Sequence, residues 1–203
     1  MIVSQQTWHF SLFTLLLSAL VVASTDASVI RLNGELVEGG DVDPFSLQFS
    51  PDGMYVLYLA DQDTNEVYET YTVSSMGGTP IKLNDSLVDD ADVWSDGLQF
   101  SPDSSHVLYR ADQDTDEVWE IYRVPSSGGS SVKINDTLVT GGDVYHSGLQ
   151  FNLDGACVLY YADQNMDGVF EIYSTTNTGN TSTKLNGRLV AEGNVSPSGL
   201  QFS

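Results

Sequence analysis

The sequence predicts an all-β protein, a β-propeller whose blades are four-stranded antiparallel sheets. The first observation is a repeat of 51 residues that never slips, because the phenylalanine of a Leu-Gln-Phe triplet recurs as Phe49, Phe100, Phe151 and Phe202. The second is that each repeat holds four short segments rich in strand-forming residues, separated by turn residues. The third is that no segment shows helical periodicity over about 10 residues. A β-solenoid is the alternative architecture, but its repeats are usually shorter and contain fewer strands.

The repeat from Leu98 to Gly148 illustrates one unit. A Pro-Asp turn follows its first strand, a polar hairpin follows the second, and a Ser-Gly-Gly turn follows the third. The four predicted strands are Leu98–Ser101, Val107–Ala111, Val118–Val124 and Val132–Asn135. The second and third strands are almost continuously apolar, which is expected of a sheet that is covered on both faces. In a propeller the neighbouring blades provide that cover.

Several short motifs in these repeats resemble the TolB-type propeller repeat, and the resemblance extends from Val29 to Ser203. They are Ser50-Pro51-Asp52-Gly53, Glu120-Ile121-Tyr122, Glu171-Ile172-Tyr173, Gly77-Gly78, Gly128-Gly129 and Lys82-Leu83-Asn84. The resemblance implies a propeller of this type, and such propellers serve as protein-binding modules or as gating domains of peptidases. Two departures fall in the first turn, where Ser104 replaces glycine and Asn152-Leu153 replaces Ser-Pro. We therefore expect a looser first turn in the third repeat.

Counting strands predicts three whole blades, at about 47–84, 98–135 and 149–186, within a propeller region 28–203. A fourth strand at Val29–Asn33 precedes them, and a first strand at Leu200–Phe202 places the end of the chain at the start of a fourth blade. Because propellers typically close with about 4 to 8 blades, the predicted propeller is incomplete. Two explanations stay open, a fragment of a longer propeller and a ring assembled from several copies. In either case open blade faces favour self-association.

Residues 1–27 are predicted to be a signal peptide. Phe10–Ala23 is a largely apolar run of 14 residues, which suits the apolar region of a signal peptide and is short for a membrane span. The residues before it include no Lys or Arg, so an uncleaved anchor or a buried segment is the alternative. Cleavage would make the protein secreted, either extracellular or periplasmic, with no attachment to a membrane afterwards.

The charge and the cysteine content narrow the classes of partner and of function. The formal net charge of −21 repels nucleic acid and anionic lipid and attracts cations. The single cysteine, Cys157, excludes an internal disulfide framework. The chain contains neither a Gly-x-Ser-x-Gly elbow nor a His-Glu-x-x-His motif, so we expect no enzyme activity.

The polar hairpin between the second and third strands is the candidate metal site. Oxygen-bearing side chains occupy its first, third and fifth positions in every repeat: Asp61, Asp63 and Asn65; Asp112, Asp114 and Asp116; Asp163, Asn165 and Asp167. Ca²⁺ takes about 6 to 8 oxygen ligands, so this spacing predicts calcium binding. The third copy, with Gly168 at the sixth position, is closest to known calcium loops. The alternative is a polar β-hairpin in which the Asp and Asn residues only form the turn.

The long connections between repeats provide the candidate ligand-binding residues. An acid precedes valine at Asp92 and at Asp143, and the aromatic residues Trp94 and Tyr145 stand in the same connections, apart from the recurrent core aromatics. We therefore expect a ligand surface at these loops, with a protein or a glycan as the ligand. Capping of the loop backbone is the alternative role of the two acids.

Taken together, these features predict a secreted, non-catalytic propeller that acts as a binding or scaffold module, with calcium stabilisation as a further prediction. The alternative is a propeller that gates a serine hydrolase or peptidase whose catalytic domain lies outside this chain. A third interpretation is a calcium-stabilised adhesion or surface protein.

Overall fold

The computed structural model describes residues 29–179, 181–190 and 193–196. These residues form strands and loops without any helix, so the all-β prediction is confirmed. In the same ranges, no helix exists that is long and apolar enough to cross a membrane. The predicted signal peptide at 1–27 and the predicted trailing strand at Leu200–Phe202 lie outside the described residues.

Twelve β-strands in the described ranges form three four-stranded sheets, which we call blades 1 to 3. Blade 1 contains β1 (Gln48–Phe49), β2 (Tyr55–Ala60), β3 (Glu69–Ser74) and β4 (Ile81–Lys82). Blade 2 contains β5 (Val93–Phe100), β6 (His106–Ala111), β7 (Glu120–Pro125) and β8 (Val132–Lys133). Blade 3 contains β9 (Gln150–Phe151), β10 (Cys157–Ala162), β11 (Glu171–Thr176) and β12 (Thr183–Lys184). Each sheet follows sequence order and pairs antiparallel throughout, as predicted for propeller blades.

The central two strands of every blade pair in the same register, which places two tyrosines opposite each other. Their rings stack with centroids 5.3–5.5 Å apart in the pairs Tyr58–Tyr71, Tyr109–Tyr122 and Tyr160–Tyr173. All six rings are almost fully buried, and such cross-strand aromatic pairs stabilise a sheet beyond the area they bury. The recurrent tyrosines therefore form the blade core, as the repeat pattern predicts.

Apolar side chains also pack between neighbouring blades. Leu57 and Leu83 of blade 1 lie in one buried cluster with Phe100 of blade 2. The equivalent cluster joins Ile134 of blade 2 to Phe151 of blade 3. Blade 2 is thus covered on both faces, which explains its two nearly continuous apolar strands.

The structure differs from the sequence predictions in several strand bounds and in one turn. The first strand of blade 2 begins at Val93, because Val93 and Trp94 already pair with β6 before a register shift. The predicted leading strand at Val29–Asn33 is not a strand, because it has no strand partner among the described residues. The turn after the first strand of blade 3 is not looser than the corresponding turns of blades 1 and 2. The Asn152 carbonyl accepts the Gly155 N–H at 3.0 Å, and the Asn152 side chain accepts the Cys157 N–H at 2.9 Å.

The packing between blades gives a direct stability prediction. Ile134 is about 1% exposed between blades 2 and 3, whereas Leu185 at the same repeat position of blade 3 is 50% exposed. We expect Ile134→Ala to lower the free energy of unfolding by about 2–5 kcal/mol, because it leaves a cavity between the blades. Leu185→Ala is the matched control and should cost less than about 1 kcal/mol. Urea denaturation measures both, and equal losses would contradict the packing of blade 3 against blade 2.

Candidate ligand-binding face and the acidic hairpins

A chain of hydrogen bonds through aspartates joins each blade to the next. The Tyr68 N–H at the end of the first hairpin donates to Asp92 Oδ1 at 2.7 Å. The Asp92 N–H in turn donates to Asp112 Oδ1 of blade 2 at 2.7 Å. The next junction repeats this arrangement with Trp119, Asp143 and Asp163, at 2.8 and 2.6 Å. Asp92 and Asp143, two of the predicted ligand residues, therefore cap backbone groups, as the alternative interpretation expects.

The first acid of every hairpin uses both carboxylate oxygens on backbone N–H groups. Its Oδ1 accepts the bond from the incoming connection, and its Oδ2 accepts the N–H of the residue five positions later. That later residue is Glu66, Glu117 or Gly168, with φ of 64°, 59° and 73°. Gly168 thus matches a left-handed turn position that the other two repeats fill with glutamate. Asp61, Asp112 and Asp163 are each 3% exposed.

The third hairpin position pairs with a lysine in two repeats. Lys82 Nζ lies 2.7 Å from Asp63 Oδ2 and 2.7 Å from Glu69 Oε2. Lys133 repeats this pair of contacts in blade 2, with Asp114 and Glu120 at 2.9 and 2.5 Å. In blade 3 Lys184 pairs with Glu171 at 2.9 Å, and Asn165 stands at the third position of the hairpin.

The fifth hairpin position lies at the exposed tip, where the structure places Asn65, Asp116 and Asp167. Among the described residues, no three His, Cys, Asp or Glu side chains are grouped so that they could hold a metal ion. The three hairpin positions therefore have separate surroundings, and calcium binding at the hairpins stays a prediction.

The hairpin geometry predicts how calcium and chelator should act on variants. We expect Asp112→Ala to lower the free energy of unfolding by about 1–3 kcal/mol, because two partly buried N–H groups lose their acceptor. A loss that is the same in chelator and in about 2 mM Ca²⁺, a concentration chosen for weak extracellular sites, would assign Asp112 to these hydrogen bonds alone. The matched control is Asp116→Ala, which removes an exposed acid and should change stability little in either condition. A calcium-dependent loss for both variants would instead establish the predicted calcium site.

Two tryptophans and an arginine of blade 2 pack together. Trp94 and Trp119 lie edge to face with ring centroids 5.3 Å apart. The guanidinium of Arg110 lies 4.3 Å above the Trp119 ring, and its Nε donates to the Val144 carbonyl at 2.7 Å. Burial lowers the pKa of Arg110 to about 10, with the nearby acid Asp143 opposing that change. Arg110 therefore holds Trp119 in place as a buried cation.

A second aromatic group continues this surface onto blade 3. Tyr145 contacts the rings of Tyr161 and Phe170 at centroid distances of 5.7 and 5.4 Å. The next residue, His146, lies 3.8 Å from Asp96 of blade 2. We define the aromatic face as these two groups of rings, in which Tyr161 is buried beneath Tyr145, together with Tyr68 beside Trp94: Tyr68, Trp94, Trp119, Tyr145, Tyr161 and Phe170. Trp94 is 49% exposed and Tyr145 is 37% exposed, so both predicted aromatic residues are accessible to a ligand.

An open groove of about 390 Å³ lies beside the aromatic face, between blades 1 and 2. Tyr68 and Trp94 line it together with the acids Asp41, Asp43 and Asp92. The Tyr68 hydroxyl donates to Asp41 Oδ1 at 3.0 Å, and this bond, with burial, raises the pKa of Tyr68 to about 12. Burial, together with the neighbouring acids, raises the pKa of Asp92. The groove thus combines aromatic rings with carboxylates, and no Lys or Arg side chain is among its lining residues.

The sequence predicts Trp94 and Tyr145 as ligand contacts but does not predict the residues that pack around them. Arg110 occupies a repeat position that holds Leu59 in blade 1 and Tyr161 in blade 3. The sequence signal for the special role of Arg110 is its charge within the otherwise apolar strand Val107–Ala111. Residue 68 and its equivalents are aromatic in all three repeats, and they form the aromatic face rather than the blade core.

No family model matches the chain, and a search of curated proteins found no significant match. Solved structures with a similar fold include TolB from Agrobacterium tumefaciens, at 15% identity and a TM-score of 0.34, covering 67% of this chain and 62% of that chain. Prolyl oligopeptidase B from Galerina marginata is similar at 13% identity and a TM-score of 0.47, covering 72% of this chain and 22% of its own. The AtxE2 isopeptidase gives 13% identity and a TM-score of 0.49, covering 72% and 30%. The chain thus spans less than two thirds of each, and the likeness concerns the fold alone.

The capping role of Asp92 predicts a specific effect of pH. The equivalent residue of blade 3 is Asn194, whose Oδ1 accepts the Phe170 N–H at 2.7 Å, so Asp92→Asn should keep the cap. Because the folded state raises the pKa of Asp92, the protonated acid is favoured there, and this stabilisation is lost as pH rises through the folded pKa. We therefore expect Asp92→Asn to be more stable than the wild type at pH 7.

The advantage of Asp92→Asn should shrink as the pH falls toward about 3.9, the ordinary pKa of aspartate. Urea midpoints of both proteins between these two pH values measure this difference. A variant that is less stable than the wild type at pH 7 would show that the charge of Asp92 itself supports the fold.

Proposed function

We propose that this chain is a secreted, non-catalytic β-propeller module that binds a protein ligand on its aromatic face. The observation that carries the proposal is the groove between blades 1 and 2, where the exposed Trp94 and the half-buried Tyr68 adjoin three carboxylates. Exposed aromatic rings beside polar groups are typical of binding surfaces. The apolar run at Phe10–Ala23 supports secretion, and the missing enzyme motifs support a non-catalytic role.

The charge of the groove favours a ligand with cationic side chains. Asp41, Asp43 and Asp92 line it without a Lys or Arg among the lining residues, and the chain carries a net charge of −21. A lysine or arginine side chain can pair with a carboxylate while it lies over an aromatic ring. The acidic field of the whole chain would also speed the approach of such a ligand.

The rigidity of the aromatic face also supports binding. Arg110 and Trp119 lie behind Trp94, while aspartate caps fix the connections that carry Trp94 and Tyr145. Side chains held in this way lose little conformational freedom when a ligand binds, so more of the contact energy appears as affinity.

Titration calorimetry with tetralysine as the probe tests the proposal. We expect tetralysine to bind the full chain, and we expect the affinity to fall as salt rises because exposed charges are screened. Trp94→Ala should weaken binding about fivefold or more, since it removes the ring that a cation contacts. Phe49→Ala is the matched control, because it removes an exposed aromatic ring from a different surface.

A parallel titration with chitotetraose distinguishes a glycan ligand from a protein ligand. Binding of chitotetraose alone, with loss in Trp94→Ala, would keep the aromatic face as the binding site but overturn the choice of a cationic protein ligand. Tetralysine binding that is equal in the wild type and in Trp94→Ala would place the interaction elsewhere on the acidic surface and contradict the proposal.

A further inference from the structure

Each blade fastens its outer strand to the third strand with one recurring pair of hydrogen bonds. In blade 1 the Leu83 N–H donates to the Thr70 carbonyl at 2.8 Å, and the Thr70 N–H donates to Asn84 Oδ1 at 2.9 Å. The same two bonds link Ile121 to Ile134 and Asn135 in blade 2, and Ile172 to Leu185 and Asn186 in blade 3. We call this arrangement the outer clip.

A glutamate at the start of the third strand completes every outer clip. Glu69 accepts a bond from Lys82 Nζ at 2.7 Å and from Asn84 Nδ2 at 3.4 Å. Glu120 and Glu171 hold the same position in blades 2 and 3 and pair with Lys133 and Lys184. The outer clip therefore contacts three groups of the third strand: the glutamate side chain, one backbone N–H and one backbone carbonyl.

The chain carries a fourth set of clip residues in front of blade 1. Arg31, Leu32 and Asn33 stand 51 positions before Lys82, Leu83 and Asn84. Leu32 packs against the core of blade 1, as Leu83 and Ile134 pack against the next blade. Within the described part of the chain, the Leu32 N–H and Asn33 Oδ1 have no hydrogen-bond partner, and Arg31 pairs with Glu35, where both side chains are exposed.

An apolar groove lies between these clip residues and blade 1. Leu32, Leu47, Phe49 and Val56 line a space of about 250 Å³. Phe49 is 69% exposed, whereas its equivalents Phe100 and Phe151 are 7% and 9% exposed between blades. At the junction of blades 1 and 2, the residues clustered with Phe100 include Leu57 and Leu59 of a second strand. The groove thus has the apolar lining of one side of a junction between two blades.

We propose that this surface docks a β-hairpin of a partner protein that has the chemistry of the second and third strands of this repeat. The glutamate of its third strand pairs with Arg31 and with the Asn33 amide. Its backbone carbonyl accepts from the Leu32 N–H, its backbone N–H donates to Asn33 Oδ1, and leucines of its second strand fill the groove. This is strand addition to an existing surface, in which backbone bonds give affinity and side-chain pockets give specificity.

A second copy of the chain does not fit this surface equally well. Each of the three described hairpins is already fastened by the outer strand of its own blade. A copy could donate a hairpin only by breaking its own clip, which would cost the bonds that the docking gains.

A synthetic peptide with the sequence of residues 54–75 provides the probe, because it contains β2, β3 and Glu69. Titration calorimetry against the full chain should show saturable binding of one peptide per chain. We expect Arg31→Ala in the protein to weaken binding about tenfold, since a charge-assisted hydrogen bond is lost. Arg188→Ala is the matched control, because it removes one other arginine from an exposed position and should leave the affinity unchanged.

The complementary change in the peptide, Glu69→Gln, isolates the ion pair without altering the protein. We expect it to weaken binding to the wild type about tenfold and to have little further effect on Arg31→Ala, as a double-mutant cycle requires. Equal binding of both peptides to both proteins would indicate unspecific apolar adhesion and overturn the proposal. Absence of peptide binding would also overturn it, and dimers in sedimentation experiments would then identify a second copy as the occupant.

Discussion

The carboxylate of Asp112 connects two blades because its two oxygens serve two different segments. One oxygen accepts an N–H from the hairpin of blade 2, and the other accepts the N–H of Asp92 in the connection from blade 1. Asp92 in turn accepts the N–H of Tyr68. These bonds therefore fix the hairpin of blade 2 to the connection and to blade 1. They also fix the positions of the loops that carry the aromatic face. Buried carboxylates that bind several N–H groups are among the stronger hydrogen-bonded groups in proteins.

The acidic composition consequently has two separate physical roles. One group of acids is buried and has assigned partners, as with Asp61 on backbone N–H groups and Glu69 on Lys82. The other group is exposed around the groove and at the hairpin tips, as with Asp41 and Asp116. Only the second group contributes freely to the field that would attract the proposed cationic ligand. Sequence spacing alone does not separate the two groups, because both occur in the same short hairpins.

The repeat makes the strands of each blade predictable, because equivalent residues 51 positions apart pair in the same register in every blade. The paired tyrosines follow from that register alone. Arg110 could not be predicted in the same way, because its burial depends on Trp119, which lies just before β7, and on the Val144 carbonyl in a later connection. The first turn of blade 3 was mispredicted because Asn152 supplies the acceptor that serine supplies elsewhere. Val29–Asn33 was mispredicted as a strand because strand formation needs a partner that local sequence does not reveal.

The segment that precedes blade 1 contributes to both proposed binding surfaces, yet its two ends are held differently. Asp41 is fixed by the side chain of Asp61 and by the Tyr68 hydroxyl, so the groove beside the aromatic face is complete within blade 1 and its neighbour. Among the described residues, Arg31 is held only by an exposed ion pair with Glu35, which contributes little to stability. The two surfaces share no lining residue. The proposed binding of a ligand at the aromatic face therefore does not depend on whether a hairpin occupies the groove beside Leu32.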